Sequence, residues 1–176
     1  MHIRLATPAD AAAVNAIYAP SITHGVASFE QTPPSDAEMA ERIRRTLAER
    51  PWLVCEEMDA LCGYAYTACH RERHAYQWSV EVSVYVDHAR HRRGVGCALY
   101  RELFGRLARQ GYYNAYAGIT LPNVASVALH ESFGFVPVGV YRNIGFKMGR
   151  WWDVGWWQKS LSAHTVPVDT PVKLTG

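Results

Sequence analysis

Between residues 78 and 86 the chain alternates strictly, with Val80, Val82, Val84 and Val86 set against Ser79, Glu81, Ser83 and Tyr85. A period of two places successive side chains on opposite faces of an extended segment, so a strand is expected here, with Glu81, Ser83 and Tyr85 sharing one face. The period then changes. Cys97, Leu99, Tyr100, Leu103, Phe104 and Leu107 recur at helical spacing up to Gly111, after a basic turn that contains glycine. Upstream, residues 3–6 read as a short strand, after which Thr7 can cap a helix with Pro8 at its first position, turning Val14, Ile17 and Tyr18 inward. Ser35 and Glu38 form a capping box for a helix through Met39, Ile43 and Leu47 that Pro51 ends. Residues 52–56 and 61–66 read as a hairpin turning at Met58, Asp59 and Ala60. Downstream, a strand is expected over 112–119, a helix over 124–133 stopped by Gly134, and strands around 135–141 and 153–161. This order is that of a single α/β domain with a mixed sheet, over residues 1–161. The remainder, 162–176, contains Pro167 and Pro171, lacks periodicity, and is expected to be flexible or loosely docked.

Composition narrows the class of function. With 176 residues, 49% of them hydrophobic and 19% charged, the chain can fill one core. A net charge of +2 with dispersed acidic residues offers no global field for nucleic acid or an acidic membrane, so neither is expected as a partner. No apolar run approaches the roughly 18 residues of a membrane span, and no charged leader opens the chain, so a cytoplasmic protein is expected. Cys55, Cys62, Cys69 and Cys97 have neither C-x-x-C nor zinc-finger spacing. Reduced thiols are expected, with no metal site.

The segment His91-Arg92-Arg93-Gly94-Val95-Gly96-Cys97 lies where the alternating strand gives way to the helix. Glycines there let backbone N–H groups approach a ligand, the helix start carries about half a positive charge, and two arginines add full charges. Such a turn suits a pyrophosphate. It is not a P-loop, because the Gly-Lys-Ser/Thr ending is absent, and Leu99 stands where a dinucleotide fingerprint requires its third glycine.

The segment resembles motif A of the GNAT acetyltransferases: Gln or Arg, two variable residues, Gly, one variable residue, then Gly or Ala. Gly94 and Gly96 match and His91 departs at the first position. Asn123, Ser126, Leu129-His130-Glu131 and Gly134-Phe135 resemble the following GNAT segment. The match narrows to the phosphinothricin and methionine sulfoximine acetyltransferases through Ala27-Ser28-Phe29-Glu30, Tyr76-x-Trp78, Val80-Glu81, Val84-Tyr85-Val86, Leu121-Pro122-Asn123 and Trp152-Asp153-Val154-Gly155.

The resemblance implies a central mixed, mostly antiparallel, splayed sheet flanked by helices, with acetyl-CoA as co-substrate and no metal. It implies coenzyme contacts along Val84 and Val86, over His91, Arg92, Arg93, Gly94, Val95, Gly96 and Cys97, and at Asn123 and Ser126. Glu81 would act as a general base through water, and His130 or Tyr85, with Tyr141 as a rival, would protonate the departing thiolate. Phe29, Arg71, Arg73, Tyr76, Glu81 and Ser83 would meet a small anionic amino-acid-like substrate; guanidinium forks suit carboxylate or phosphinate oxygens. A GNAT enzyme acting on another amine, and a coenzyme A-binding domain without turnover, are the alternatives. Trp151, Trp152, Trp156 and Trp157 offer a homodimer interface, a pocket wall or ordinary core packing.

Overall fold

The computed structural model describes residues 1–166 and 168–174; Pro167 lies outside the described residues. In chain order the elements are β1 His2–Leu5, α1 Ala11–Thr23, α2 Asp36–Leu47, β2 Trp52–Glu57, β3 Ala60–Cys69, β4 Ser79–Val86, α3 Val95–Arg109, β5 Asn114–Leu121, α4 Val124–Ser132, β6 Val136–Lys147 and β7 Arg150–Ser160. The strands form a seven-stranded sheet in the order β1-β2-β3-β4-β5-β7-β6. Every neighbouring pair is antiparallel except β4 and β5.

Local chemistry accounts for most of these boundaries. Ser35 and Glu38 complete the capping box of α2, Ser35 Oγ accepting from the Glu38 N–H at 3.2 Å and Glu38 Oε2 from the Ser35 N–H at 2.7 Å. Thr7 caps a short 3-10 turn, Pro8–Asp10, and α1 begins only at Ala11. The reason is Arg4: its guanidinium holds both the Asp10 and the Glu56 carboxylates, pinning the turn to the sheet before the helix starts. Arg4 also holds the carboxyl of Asp10 below its usual range. The β2–β3 hairpin turns on Met58 and Asp59, both left-handed with φ of 51° and 57°. Residues 136–147 and 150–160 run longer than the alternation suggests, because irregular pairing between Tyr141 and Gly145, with Asn143 at φ 49°, breaks the period without ending β6.

Two apolar clusters cover the two faces of the sheet. One packs α3 through Leu99, Tyr100, Leu103 and Leu107 against Val80, Val82, Ala115 and Ala117. The other seats Val14, Tyr18 and Ile22 of α1 and Met39 and Ile43 of α2 on Trp52, Val54 and Tyr64. Gly63 permits the close seat of α3, since a Cβ there would lie 2.9 Å from both the Tyr85 carbonyl oxygen and Val95 Cγ1. Residues 168–174 lie against the domain. The Trp78 indole donates to the Asp169 carbonyl at 2.8 Å, and Val172 exchanges bonds with Gln110.

Candidate active site

Strands β4 and β5 pair only over Ser79–Glu81 and Asn114–Tyr116 and then part. Beyond Glu81 the β5-facing edge of β4 carries backbone polar groups without ladder partners, and such groups call for a ligand or water. The gap is a cleft of about 140 Å³, lined by Val82 to Tyr85, Ala117 to Thr120, Asn123, Ser126 and His130. The start of α3 lies beyond the end of β4. Gly94 caps α3 at φ 81°, and Arg92 is also left-handed at φ 60°. The Ala98 N–H donates to the Gly94 carbonyl at 2.9 Å, so the N–H groups before it have no acceptor within the helix. Arg92 and Arg93 are exposed beside them, while Val95 is buried and contributes only its backbone. A helix start of this kind offers its free N–H groups to an anion. His91 Nε2 lies 3.0 Å from the Val86 carbonyl oxygen, so the ring ties the turn to the end of β4. Cys97 is a half-buried free thiol on the first turn of α3.

A Cβ on Gly96 would stand 3.3 Å from Leu129 Cδ2, 3.8 Å from Val86 Cγ2 and 3.9 Å from Val84 Cγ2, filling the space between β4 and α4. Asn123 caps α4, its Oδ1 accepting from the Ser126 N–H at 3.1 Å. These observations fit a pantetheine arm along β4 with its pyrophosphate on the α3 N-terminus.

His130 is 4% exposed and both ring nitrogens are engaged. Nδ1 lies 2.7 Å from the Ser126 carbonyl, which can only accept, so Nδ1 carries the proton and Nε2 accepts the Tyr100 hydroxyl at 2.8 Å. Burial lowers the pKa of His130 and keeps the ring neutral, while Tyr100, fully buried, is pushed well above the ordinary phenol range. His130 thus leaves no free N–H for a thiolate. Tyr85 points to the other face of β4, stacked on Tyr64 at 5.3 Å and edge-on to Tyr18 at 5.0 Å, and desolvation keeps its phenol protonated. Tyr141 is exposed on β6, 5.9 Å from Trp156.

On that other face Glu81, Ser83 and Tyr85 form a row, as their parity requires. Glu81 Oε1 lies 3.1 Å from His70 Nδ1 and 3.9 Å from the Arg71 guanidinium. Tyr76 approaches His70 edge-on at 6.4 Å. Arg73 is exposed farther along the same loop, and with His70, Arg71 and Tyr76 it lines one open depression. Phe29 packs against Gly145 of β6, where any Cβ would overlap its ring. Lys147 locks the same loop: it is buried and donates to the Ser28 carbonyl at 2.6 Å. Desolvation lowers its pKa. On the far side of the loop, Tyr18 bonds Ser28 and Glu30, and Arg42 clamps Glu30.

His70, Tyr100 and Lys147 are partners that the local pattern did not single out. Position 70 continues the parity of Tyr64, Tyr66 and Ala68 past the end of β3, and that parity is the one signal that points to Glu81's face. Tyr100 reads as part of an apolar stripe, and nothing near Lys147 announces its burial. Among the described residues, no group of three or more His, Cys, Asp or Glu is placed to hold a metal ion, and no helix is long and apolar enough to cross a membrane.

A sheet that splays at its one parallel pair, beside a glycine-opened helix start, is the framework of a coenzyme A-dependent acyltransferase. The family model of the acetyltransferase (GNAT) domain matches residues 3–156, and the chain belongs to the GNAT family. It is 38% identical over 167 residues to the phosphinothricin N-acetyltransferase of Streptomyces viridochromogenes, covering 95% of this chain and 91% of that relative. It is 36% identical over 168 residues to the L-methionine sulfoximine/L-methionine sulfone acetyltransferase of Salmonella typhimurium, covering 95% and 98%. The crystal structure of a GNAT superfamily phosphinothricin acetyltransferase from Sinorhizobium meliloti in complex with acetyl-CoA superposes with a TM-score of 0.89 at 36% identity, covering 99% of this chain and 98% of that one. The protein is an acetyl-CoA-dependent N-acetyltransferase.

Proposed function

We propose that the enzyme acetylates the amino group of a small anionic amino-acid-like substrate, such as phosphinothricin, methionine sulfoximine or a related compound, by direct transfer. The observation that carries this is Glu81: a half-buried carboxylate where β4 and β5 part, with the Arg71 guanidinium 3.9 Å away and Arg73 on the same loop, lining a depression with His70 and Arg71. The named activities of the relatives support the same substrate class. Acetyl-CoA, when bound, supplies an acetyl group activated as a thioester. The chain's own part is to hold the pyrophosphate on the N–H groups of residues 94–97 and on Arg92 and Arg93, to pack the pantetheine arm along Val84, Val86 and Asn123, and to polarise the carbonyl with a free N–H of β4. Glu81 draws the proton from the acceptor ammonium through an intervening group, in the simplest case water. Cationic acceptors such as polyamines and aminoglycosides would meet Arg71 and Arg73 and are disfavoured.

The test is thiol release from acetyl-CoA across a panel of amino acids, amines and peptides. Acidic amino-acid analogues should dominate; equal or better turnover of polyamines would overturn the substrate class. Arg73→Ala should raise KM for the acidic substrate about tenfold or more, the worth of a hydrogen bond between charged groups, and leave KM for acetyl-CoA unchanged. If both constants move together, Arg73 serves the fold.

A homodimer is part of the same proposal, on a surface other than the tryptophan cluster as a whole. Trp157 is buried, Trp152 and Trp156 are half-buried, and only Trp151 is open, at 60% exposure. The apolar surface belongs mainly to β6, a sheet edge that exposes Val138, Ile144 and Phe146. Exposed apolar edge strands invite pairing or burial. Sedimentation should give twice the chain mass, and Ile144→Asp with Phe146→Asp should shift it to monomer; a monomeric wild type would refute the interface.

A further inference from the structure

We infer that His70 Nε2 takes the proton from the substrate ammonium, and that Glu81 is the positioning residue that fixes the imidazole for this task. The inference rests on the reading of this face of β4 as the acceptor side and changes which atom receives the proton.

His70 stands one residue beyond β3, where the pairing of Ala68 with Glu81 brings the strand end over the carboxylate. Its ring is held on several sides. It stacks on Tyr116 with centroids 4.3 Å apart and planes 12° from parallel, and Tyr76 and Trp156 close on it edge-on at 6.4 and 6.2 Å. The side chain is only 15% exposed, so the imidazole has little freedom to turn. Nδ1 faces Glu81 Oε1 at 3.1 Å. A carboxylate in that place favours the Nδ1–H tautomer, which leaves the lone pair on Nε2. Nε2 has no protein partner among the described residues. It is therefore the open basic atom beside the splay, while Glu81 can bond to Nδ1–H and stabilise the imidazolium that forms.

The charged and titratable groups around the pair are Arg71, whose guanidinium lies 3.9 Å from the same Glu81 oxygen, Cys69, Glu72, Arg73 and Tyr76, which line one depression with His70, Tyr66 from β3 and Tyr116 from β5. The step balances simply. The N–H bond of the acceptor ammonium breaks, its electron pair stays on the amine nitrogen, an Nε2–H bond forms, and the imidazolium later returns the proton to solvent. An orienting carboxylate, a histidine base and a nucleophile in line follow the logic of a catalytic triad with the amine as nucleophile.

The test combines kinetics with a readout that needs no turnover. Nitrogen-detected NMR of the free enzyme should show His70 as the Nδ1–H tautomer; an Nε2–H tautomer overturns the inference whatever the activity. In steady-state assays His70→Gln should lower kcat by about 10² to 10⁴ and remove the enzyme's ascending pH limb, with KM for acetyl-CoA unchanged. The variant combining His70→Gln with Glu81→Gln should be no slower than His70→Gln alone. Added imidazole should partly restore His70→Gly. If His70→Gln keeps the wild-type limb and Glu81→Gln abolishes it, Glu81 itself is the base and His70 only props it. A wild type that releases no thiol with any amine would sink the acceptor-side reading instead, and the tautomer would still decide the pairing.

Discussion

Glu81→Gln should reduce kcat by about 10² to 10⁴ while acetyl-CoA affinity stays within a few-fold of wild type. The change keeps the shape of a half-buried side chain on β4 and removes its charge. Two consequences reach the reaction. The acceptor ammonium loses the anion that draws off its proton, and His70 loses the acceptor at 3.1 Å that sets its tautomer. An amide can present N–H to Nδ1 as readily as oxygen, so part of the population would hold the wrong tautomer, a fault that costs far more than one hydrogen bond. The coenzyme contacts proposed above lie around Gly94 and Gly96 and along the β5-facing edge of β4, whereas the Glu81 carboxylate meets His70 and Arg71. Single-turnover kinetics with a saturating acceptor, together with calorimetry of acetyl-CoA binding, separate the two effects. A variant with wild-type kcat and chemistry rate-limiting would remove Glu81 from the mechanism.

Gly96→Leu should weaken acetyl-CoA binding by roughly 2 kcal/mol or more, about thirtyfold, with KM for the amino-acid substrate nearly unchanged. The first atom of any side chain at this position already meets Leu129 at 3.3 Å and looks toward Val84 and Val86. Leu129 can swing aside for a methyl group, but an isobutyl group must occupy the space where the coenzyme would pass between β4 and α4. It also blocks approach to the free N–H groups at the start of α3, which supply short charge-assisted bonds to phosphate. Isothermal calorimetry measures the loss directly, and an unchanged melting temperature checks that the fold is intact. Unaltered coenzyme affinity would mean that the pyrophosphate does not rest on this turn.

Much of this was legible locally. Alternation along residues 78–86 defines both faces of β4, because the side-chain period of an extended chain is fixed at two, and Glu81, Ser83 and Tyr85 do share a face. Ser35 with Glu38, and Gly94 before the α3 stripe, are helix-start chemistry acting over three or four residues, and both stand where that chemistry predicts. Local pattern does not carry contacts between residues that meet only after the sheet has formed. His70 reaches Glu81 because the chain leaves β3 and returns as β4 in one register, and it meets Tyr116 because β5 adds in parallel beside them. Tyr100 and His130, 30 residues apart, both look unremarkable in their own helices; together they satisfy each other in the core, which is why His130 is a buried partner and not an open proton donor. Lys147 finds the carbonyl of Ser28 from 119 residues away, and His91 bonds back to the carbonyl of Val86 at the end of β4. The hydrophobic pattern determined which face each element buries, since burial acts on every residue by its own polarity. Tertiary structure decided which polar groups meet, since a hydrogen bond needs about 3 Å and a direction, and both follow from register and packing.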